Sequence, residues 1–299
     1  MSLPLVSVLM NCYNGEKYLD IAIKSVIDQT YQNWEIIFWD NRSTDKSEEI
    51  VQKYNDKRIN YFKSYSHTTQ YEARNNGLNK CNGDFIAFLD VDDFWEKNKL
   101  EKQIGIFQHN CDIGFSCTNA WILNERKNNK IRLAFSKIVS GKVLNELLKK
   151  DFITMSSLMI KKSVIHDFKL AFNSDYEIIG DFDLVVKLSK ITELGGINEP
   201  LTYYRLHQDN LTYKKSKLNS NELLKALEEY KNDPIILSCS NFVIFKDNVI
   251  FYECIISILE DNRLMALRSL NKMKNIYHKI KLLFTLCLPK YLILYLRNR

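Results

Sequence analysis

The sequence has few of the residues that make chains flexible or crosslinked. Of its 299 residues, 9 are glycine and 4 are proline, which excludes collagen-like, Pro-rich and long flexible linker segments. The 7 cysteines form no C-x-x-C pair and are odd in number, which argues against a disulfide framework or a zinc site and indicates a reducing compartment. No secretory leader and no run of about 18 apolar residues is visible, so we expect no transmembrane helix. These absences predict a folded, cytoplasmic protein.

Positive charge is concentrated near the carboxyl terminus. The net charge is +6, but residues 262–299 contain nine Lys/Arg and no Asp/Glu, which leaves −3 for the rest of the chain. Residues 276–299 alternate basic residues with apolar blocks too short to cross a bilayer. This pattern favours a segment lying on an anionic membrane surface, with the protein peripheral at the inner face of the cell membrane. The alternative is a helix packed on the body or on the second subunit of a homodimer. No recognition motif accompanies the charge, so nucleic acid is not an expected partner.

The first 93 residues alternate between β-branched apolar runs and helical patterns. Strands are predicted over residues 6–10, 34–39, 59–62 and 85–89, and helices over 16–29, from Asp45 with Glu48 as its capping partner, and over 71–81. Such alternation implies a parallel sheet with right-handed crossovers. Polar segments 11–14, 40–43 and 90–93 follow three of these strands, so they are expected to meet at one edge, where ligands bind in such sheets.

The hydrophobic pattern of residues 94–207 is less regular. Beyond about residue 210 the pattern is helical and is interrupted by basic residues. Helices are predicted over 97–109 and 181–190, and strands over 113–118, 154–160 and 201–206.

Asp90, Asp92 and Asp93 come directly after an apolar strand. Carboxylates at a strand end can hold a hard divalent cation that bridges phosphate oxygens. The simpler interpretation is that Asp92 or Asp93 caps the helix that follows. An isolated D-x-D favours that simpler interpretation, because the pattern is short.

Several segments in order resemble the family 2 glycosyltransferases, which transfer sugars from nucleotide-diphosphate donors. The resemblance is carried by residues 6–19, 25–31, 34–37, 40–45, 73–77 and 83–93. It implies an α/β protein with a GT-A (Rossmann-like) mixed sheet flanked by helices. Residues 1–207 would form the GT-A domain, with a nucleotide-binding half (1–93) and an acceptor half (94–207). Residues 208–299 would form a helical, basic extension.

The resemblance also implies roles for individual residues. Asp92 matches the position that contacts Mn²⁺ or Mg²⁺, and Asp90 a position at the donor ribose or the metal shell. Asp40 and Asn41 match the loop that reads uracil, where many relatives have a second Asp; an Asn carbonyl can still accept from a ring N–H, so a UDP-sugar is favoured. Asn11 and Tyr13 would flank the base, and Arg74 would lie near the base or diphosphate.

Residues 180–184 resemble the family's acceptor-site motif, with Gly180 in place of an acidic residue. Asp181 would then be the general base of an inverting transfer, with Asp183 as the fallback, and an N-cap role for Asp181 is compatible with this. His207 resembles a position that contacts the metal or diphosphate in some relatives, although a lone His near a strand end is more often a satisfied polar residue.

These observations predict an inverting, metal-dependent glycosyltransferase. Its acceptor would be a glycan or lipid-linked glycan, as in the assembly of bacterial surface polysaccharide or lipopolysaccharide. A non-catalytic nucleotide-sugar-binding module is the main alternative. A sugar nucleotidyltransferase is less favoured, because residues 11–19 lack its glycine-rich, basic phosphate loop.

Overall fold

The computed structural model describes residues 3–127 and 130–297, except for the side chains of residues 212, 213 and 295–297. The chain forms two compact units. The larger comprises Met1–Val143 and Phe152–Asn210, and the smaller comprises Leu144–Asp151 and Leu211–Arg299. Within the described ranges, none of the helices is long and apolar enough to cross a membrane.

The larger unit is built on a single mixed sheet. In the described part of the chain its strands follow the order β3-β2-β1-β4-β8-β6-β9-β5, with β7 paired to β6. Their bounds are β1 (Val6–Cys12), β2 (Trp34–Asp40), β3 (Ile59–Lys63), β4 (Phe85–Phe88), β5 (Phe94–Trp95), β6 (Ile113–Asn124), β7 (Lys130–Leu133), β8 (Met159–Lys161) and β9 (Glu193–Leu206).

Helices connect the strands of the larger unit and make up the smaller one. In chain order they are α1 (Leu19–Ile27), α2 (Ser47–Gln52), α3 (Gln70–Leu78), α4 (Lys99–His109), α5 (Leu144–Lys149), α6 (Lys162–Asp167), α7 (Gly180–Ser189), α8 (Leu211–Lys214), α9 (Ser216–Tyr230), α10 (Pro234–Leu237), α11 (Phe242–Leu259), α12 (Arg263–Arg268), α13 (Ile276–Cys287) and α14 (Lys290–Arg297).

The first four strands confirm the predicted parallel arrangement. β1 pairs in parallel with β2 and β4, and β2 pairs in parallel with β3. β1 is buried along almost its whole length, as expected for a parallel strand covered on both faces. Cys12 lies opposite Asp40 in the register, and the Leu89 N–H donates to Leu9 O. The polar segments 11–14, 40–43 and 90–93 therefore follow neighbouring strand ends at one edge.

The rest of the sheet departs from the parallel pattern. β8 runs antiparallel to β4 and β6, while β9 runs parallel to β6 with shifts in register. The strand predicted over 154–160 begins instead as a 3-10 turn, Met155–Ser157. The reason is local: the Ser157 amide and hydroxyl both donate to Thr154 O, which competes with strand pairing. β9 is longer than predicted and carries residues 205 and 206 at its end.

Two details near the amino terminus correct the sequence interpretation. α1 begins at Leu19 rather than residue 16, because the chain first turns with the Tyr18 N–H donating to Gly15 O. The predicted capping box of Asp45 and Glu48 is wrong. Asp45 Oδ1 accepts from the Ser47 N–H at 3.0 Å, but the N-cap residue of α2 is Lys46. The Lys46 N–H donates to Glu16 Oε2 at 2.9 Å, so a side chain from a distant segment fills the role predicted for Glu48.

The smaller unit is helical. α11 contacts α5, α9, α12, α13 and α14, and so forms its centre. Its core is a cluster of buried apolar residues: Ile250, Phe251, Cys254, Ile258, Ala266, Met273, Leu282 and Ile293. A buried carboxylate, Asp247, accepts from the Lys274 and Asn275 N–H groups and holds the start of α13 against α11.

Candidate active site

The loop after β2 is held by the Asp40 carboxylate. Asp40 is completely buried, and it accepts from the Ser43 N–H at 2.6 Å and from the Tyr61 hydroxyl at 2.6 Å. Burial raises the pKa of Tyr61, and hydrogen bonding to Asp40 raises it further, so the hydroxyl stays protonated. The loop includes Arg42 at a positive φ of 73°. Asp40 thus fixes the loop that was predicted to contact the base.

The Asn41 side chain is turned toward the segment that precedes α3. Its Oδ1 accepts from the Thr68 N–H at 3.1 Å, and its Nδ2 donates to Thr68 O at 2.8 Å. Asn41 O lies 3.0 Å from Nδ1 of His67, whose ring lies 4.2 Å from that of Tyr13. Asn41 therefore orders a wall that contains the His67 and Tyr13 rings.

Asn11, near the end of β1, has an unusual environment. Its side-chain nitrogen and oxygen are both buried, and neither has a hydrogen-bond partner among the described residues. Buried amides are normally paired, because an unpaired one costs roughly 1–3 kcal/mol. A ligand atom at the strand edge would satisfy this group.

Arg74 and Asp90 form an ion pair between α3 and the loop after β4. Arg74 Nη2 lies 2.6 Å from Asp90 Oδ1, and the Arg74 side chain is almost fully buried. The Arg74 guanidinium also lies 5.4 Å from the centre of the Tyr71 ring. Burial opposes the charge on Arg74, but Asp90 and its neighbours raise the Arg74 pKa overall. Arg74 is therefore a fixed positive charge inside the site rather than an exposed surface residue.

Asp92 and His207 are brought together at the same edge. His207 Nε2 lies 2.9 Å from Asp92 Oδ2, and the His207 side chain is largely buried. A pocket of about 290 Å³ opens beside them and is lined by Lys17, Glu125, Arg126, His207, Gln208 and Asp209. The two residues that were predicted to contact the metal are therefore in direct contact with each other.

Arg205 connects this pair to two other parts of the unit. Its Nε donates to Asp92 O at 2.8 Å, and its Nη1 donates to Glu125 Oε1 at 2.8 Å. Glu125 also accepts from the Tyr18 hydroxyl at 2.6 Å, and the Tyr18 ring lies 5.2 Å from that of His207. Arg205 is therefore the residue that ties the Asp92 loop to β9.

Asp93 is buried, and its carboxylate holds the loop after β4 in place. Its Oδ1 accepts from the Arg205 N–H at 2.8 Å, and its Oδ2 accepts from the Ser156 hydroxyl at 2.5 Å. Burial raises the pKa of Asp93 strongly, and the nearby charges of Asp92 and Asp90 act in the same direction. Crowded carboxylates of this kind favour a positive charge beside them.

Asp181 lies at the start of α7 beside Tyr71. The Tyr71 hydroxyl donates to Ile178 O at 2.8 Å and lies 3.3 Å from Asp181 Oδ1. A Cβ on Gly180 would come within 2.6 Å of the Tyr71 ring. The departure from the family pattern at Gly180 therefore has a physical reason: the Tyr71 ring occupies the space that a side chain would need.

Asp183, the fallback base, is placed differently. Its side chain is 1% exposed, and its Oδ2 lies 2.6 Å from Lys187 Nζ one turn along α7. A carboxylate that is buried and paired in this way is poorly suited to take a proton from an incoming hydroxyl.

The carboxylates share one neighbourhood. Burial raises the pKa of Tyr204, and the charges of Asp93, Asp92, Asp90 and Asp181 all act on it in the same direction. Asp90 likewise interacts electrostatically with both Asp92 and Asp181. Direct contacts agree with this: Asp181 Oδ1 lies 3.3 Å from the Tyr71 hydroxyl, and Arg74, which pairs with Asp90, lies 5.4 Å from the centre of the Tyr71 ring.

The donor set suits a hard divalent cation that keeps other ligands. Among the described residues, no three His, Cys, Asp or Glu side chains converge as a complete metal cage. Asp92 and His207 offer an oxygen and a nitrogen side by side. Mg²⁺-type sites commonly use one or two carboxylates with substrate phosphates and water, and Asp92 can supply such a carboxylate. The residues present fit such a cation.

Four contributors were not found from the sequence: Tyr71, Glu125, Ser156 and Arg205. Tyr71 could have been found, because it stands one helical turn before Arg74 on α3. Arg205 stands two residues before His207 near the end of β9, so the two face the same side of the strand. No local sequence pattern at Glu125 or Ser156 indicates that these residues belong to the site.

Known proteins show the same fold. The structure of TarS from Staphylococcus aureus in complex with UDP-GlcNAc matches with a TM-score of 0.63 at 15% identity, over 89% of this chain and 85% of TarS. The mannosyltransferase PcManGT from Pyrobaculum calidifontis, in complex with GDP-Man and Mn²⁺, matches with a TM-score of 0.60 at 12% identity, over 94% and 79% of the two chains. At these identities the likeness establishes the fold, which is the predicted GT-A mixed sheet flanked by helices.

Sequence similarity establishes the family. Residues 7–176 match the family described as Glycosyl transferase family 2. The chain is 33% identical over 217 residues to WfgD from Escherichia coli, a UDP-Glc:alpha-D-GlcNAc-diphosphoundecaprenol beta-1,3-glucosyltransferase, covering 71% of this chain and 81% of WfgD. The chain belongs to the family 2 glycosyltransferases and is a glycosyltransferase enzyme with relatives in lipid-linked glycan synthesis.

Proposed function

We propose that this enzyme is an inverting, metal-dependent glycosyltransferase. It moves one sugar from a nucleotide-diphosphate donor, a UDP-sugar, to a hydroxyl of a lipid-linked glycan in the synthesis of bacterial surface polysaccharide. The observation that carries the proposal is the contact of His207 with Asp92, together with the contacts from Asp181 through Tyr71 and Arg74 to Asp90, which bring Asp181 toward the same loop. This arrangement provides a place for the diphosphate and a base for the acceptor within one site.

The donor nucleoside is bound at the ends of β1 and β2. The unpaired Asn11 amide has hydrogen bonds to give, and the Tyr13 and His67 rings form an aromatic wall against which a base can stack. The loop held by Asp40 and Asn41 forms one side of this base site. WfgD uses a UDP-sugar, which supports uridine as the base.

The diphosphate is bound beside the carboxylate loop. Asp92 and His207 would hold Mn²⁺ or Mg²⁺, which when bound supplies Lewis-acid stabilisation of the departing nucleoside diphosphate. Mn²⁺ in the PcManGT complex supports this assignment. Arg74 pairs with Asp90, and we assign the Asp90 carboxylate to the donor ribose.

Asp181 acts on the acceptor. The acceptor oxygen attacks the anomeric carbon as the bond from that carbon to the phosphate oxygen breaks, and the hydroxyl proton passes to the Asp181 carboxylate. The Tyr71 hydroxyl, 3.3 Å from Asp181 Oδ1, orients this carboxylate. A single displacement inverts the anomeric configuration and leaves no covalent glycosyl-enzyme.

The proposal is tested by incubating the protein with Mn²⁺, a lipid-linked monosaccharide diphosphate and a panel of UDP- and GDP-sugars. Release of UDP together with a β-linked product from an α-linked donor is the expected result. Donor binding without any release under these conditions would favour a non-catalytic binding protein. Release from GDP-sugars alone would overturn the assignment of the base.

A further inference from the structure

Helix α13 presents apolar side chains to the outside of the smaller unit. Ile276, Tyr277, Ile280, Leu283 and Phe284 are between 48% and 70% exposed. Its buried residues are His278, Leu282 and Thr285, two of which are polar. A surface helix normally turns its apolar stripe inward and its polar residues outward. We therefore expect the outward face of α13 to be covered by a binding partner when the protein functions.

The exposed residues form one continuous stripe bordered by lysines. At about 100° per residue, residues 276, 277, 280, 283, 284 and 287 fall within an arc of roughly 120°. Lys279 lies at one border of this arc and Lys281 at the other. Lysine stems can lie along an apolar surface while their ammonium groups reach the lipid headgroups, so this arrangement suits a helix lying in a membrane interface.

The inward side of α13 already packs on the smaller unit. The outward apolar stripe is therefore not the face by which α13 joins the core. His278 Nε2 lies 2.8 Å from Asn248 Oδ1 on α11, and Leu282 belongs to the buried core of the unit. α14 continues the pattern, with Ile293 buried and Tyr291 and Leu294 exposed. The two helices are thus anchored on one side and apolar on the other.

Charge favours an anionic bilayer over a second copy of the chain. Residues 262–299 contain nine Lys/Arg and no acidic residue. A two-fold symmetric dimer through this face would bring the same basic border of both copies together, which is unfavourable. Anionic lipid headgroups instead complement this positive charge, which includes the exposed Lys272 and Lys274.

We propose that the exposed face of α13 and α14 docks the protein onto an anionic lipid surface, with both helices lying in the plane of the interface. The link to a lipid-linked acceptor rests on the proposed function, whereas lipid binding itself does not.

The test is cosedimentation of the full-length protein with vesicles. Wild type is expected to pellet with equal parts phosphatidylglycerol and phosphatidylcholine, and not with phosphatidylcholine alone. Ile280→Glu/Phe284→Glu should weaken this binding about tenfold or more, because two apolar side chains are replaced by charges that the lipid repels. Phe168→Glu is the matched control, since Phe168 is 55% exposed against 66% for Phe284 but lies in the larger unit. Nucleoside diphosphate release with a water-soluble acceptor should be unchanged, which separates this test from that of the proposed function.

Two results would overturn the proposal. One is pelleting of the double variant to the same extent as wild type. The other is a wild-type dimer in solution that the double variant converts to monomer, which would make this face a subunit interface.

A second measurement does not depend on the folding of those variants. Cys287 lies within the apolar stripe and Cys111 lies in the larger unit, and both are exposed. Cys239 is partly exposed, so both variants also carry Cys239→Ser. A polarity-sensitive fluorophore on Cys287 in Cys111→Ser/Cys239→Ser should shift to the blue on adding anionic vesicles. The same fluorophore on Cys111 in Cys239→Ser/Cys287→Ser should not shift. Equal responses at both positions would contradict docking through α13.

Discussion

His207 Nε2 and Asp92 Oδ2 lie 2.9 Å apart although 115 residues separate them in the sequence. The contact joins the end of β9 to the loop after β4, which also carries Asp90 and Asp93. A divalent cation that binds both the His207 nitrogen and the Asp92 oxygen can replace this direct contact.

Removing His207 is expected to impair metal binding. His207→Ala should weaken Mn²⁺ binding in the presence of UDP by about tenfold or more, as loss of one of two protein ligands implies. His166→Ala is the matched control, since His166 lies 3.2 Å from Asp167 in a similar His–Asp contact but is 86% exposed. Electron paramagnetic resonance of free Mn²⁺ measures both. Equal Mn²⁺ affinity for the two variants would remove His207 from the site.

Replacing Gly180 should disturb the Asp181 region through Tyr71. Gly180→Ala places a Cβ about 2.6 Å from the Tyr71 ring, so the free energy of unfolding should fall by about 1–3 kcal/mol and turnover should fall with it. The control is Gly105→Ala in α4, where a Cβ would meet nothing within 4 Å. That variant should gain up to about 1 kcal/mol from helix propensity. Chemical denaturation compares them, and equal stability of the two variants would mean that the Tyr71 ring yields without cost.

Arg205 should act as a positioning residue for the Asp92 loop. Arg205→Lys keeps the charge but cannot donate to Asp92 O and Glu125 with one planar fork. We expect the Mn²⁺ concentration for half-maximal activity to rise about tenfold, with partial rescue by excess Mn²⁺. Arg58→Lys is the control, because Arg58 forms a similar, partly buried fork with Asp56 before β3. Loss of activity in Arg205→Lys without any change in the Mn²⁺ requirement would assign Arg205 a purely structural role.

The sequence was sufficient to predict those candidate site residues whose position depends only on the strand that they follow. Asn11, Asp40 and Asp90 each stand at or just beyond the end of an apolar strand, and parallel pairing alone brings strand ends together. The same reasoning found the parallel half of the sheet. It predicted a strand over 154–160 but not its late start at Met159 or its antiparallel pairing, because β8 is only 3 residues long and follows a turn that Ser157 stabilises.

Contacts between distant segments were beyond sequence reasoning. The capping prediction for Asp45 and Glu48 failed because the carboxylate of the distant Glu16 accepts from the N–H of Lys46, the N-cap residue of α2. Glu125 follows β6 and meets Arg205 only because β6 and β9 pair over their whole length. The amide of Asn41 illustrates a further limit, since its partner Thr68 lies in an irregular segment whose path no pattern reveals.

The central claim is that Asp92 serves the donor diphosphate while Asp181 serves the acceptor. Calorimetric titration of UDP with Mn²⁺, paired with a turnover assay on Asp92→Asn and Asp181→Asn, tests it most directly. We predict that Asp92→Asn loses the Mn²⁺-dependent part of UDP binding. Asp181→Asn should bind UDP as wild type does while kcat falls by about 10²-fold or more. UDP binding by Asp92→Asn that still depends on Mn²⁺ as in wild type, or near-normal turnover by Asp181→Asn, would contradict the account.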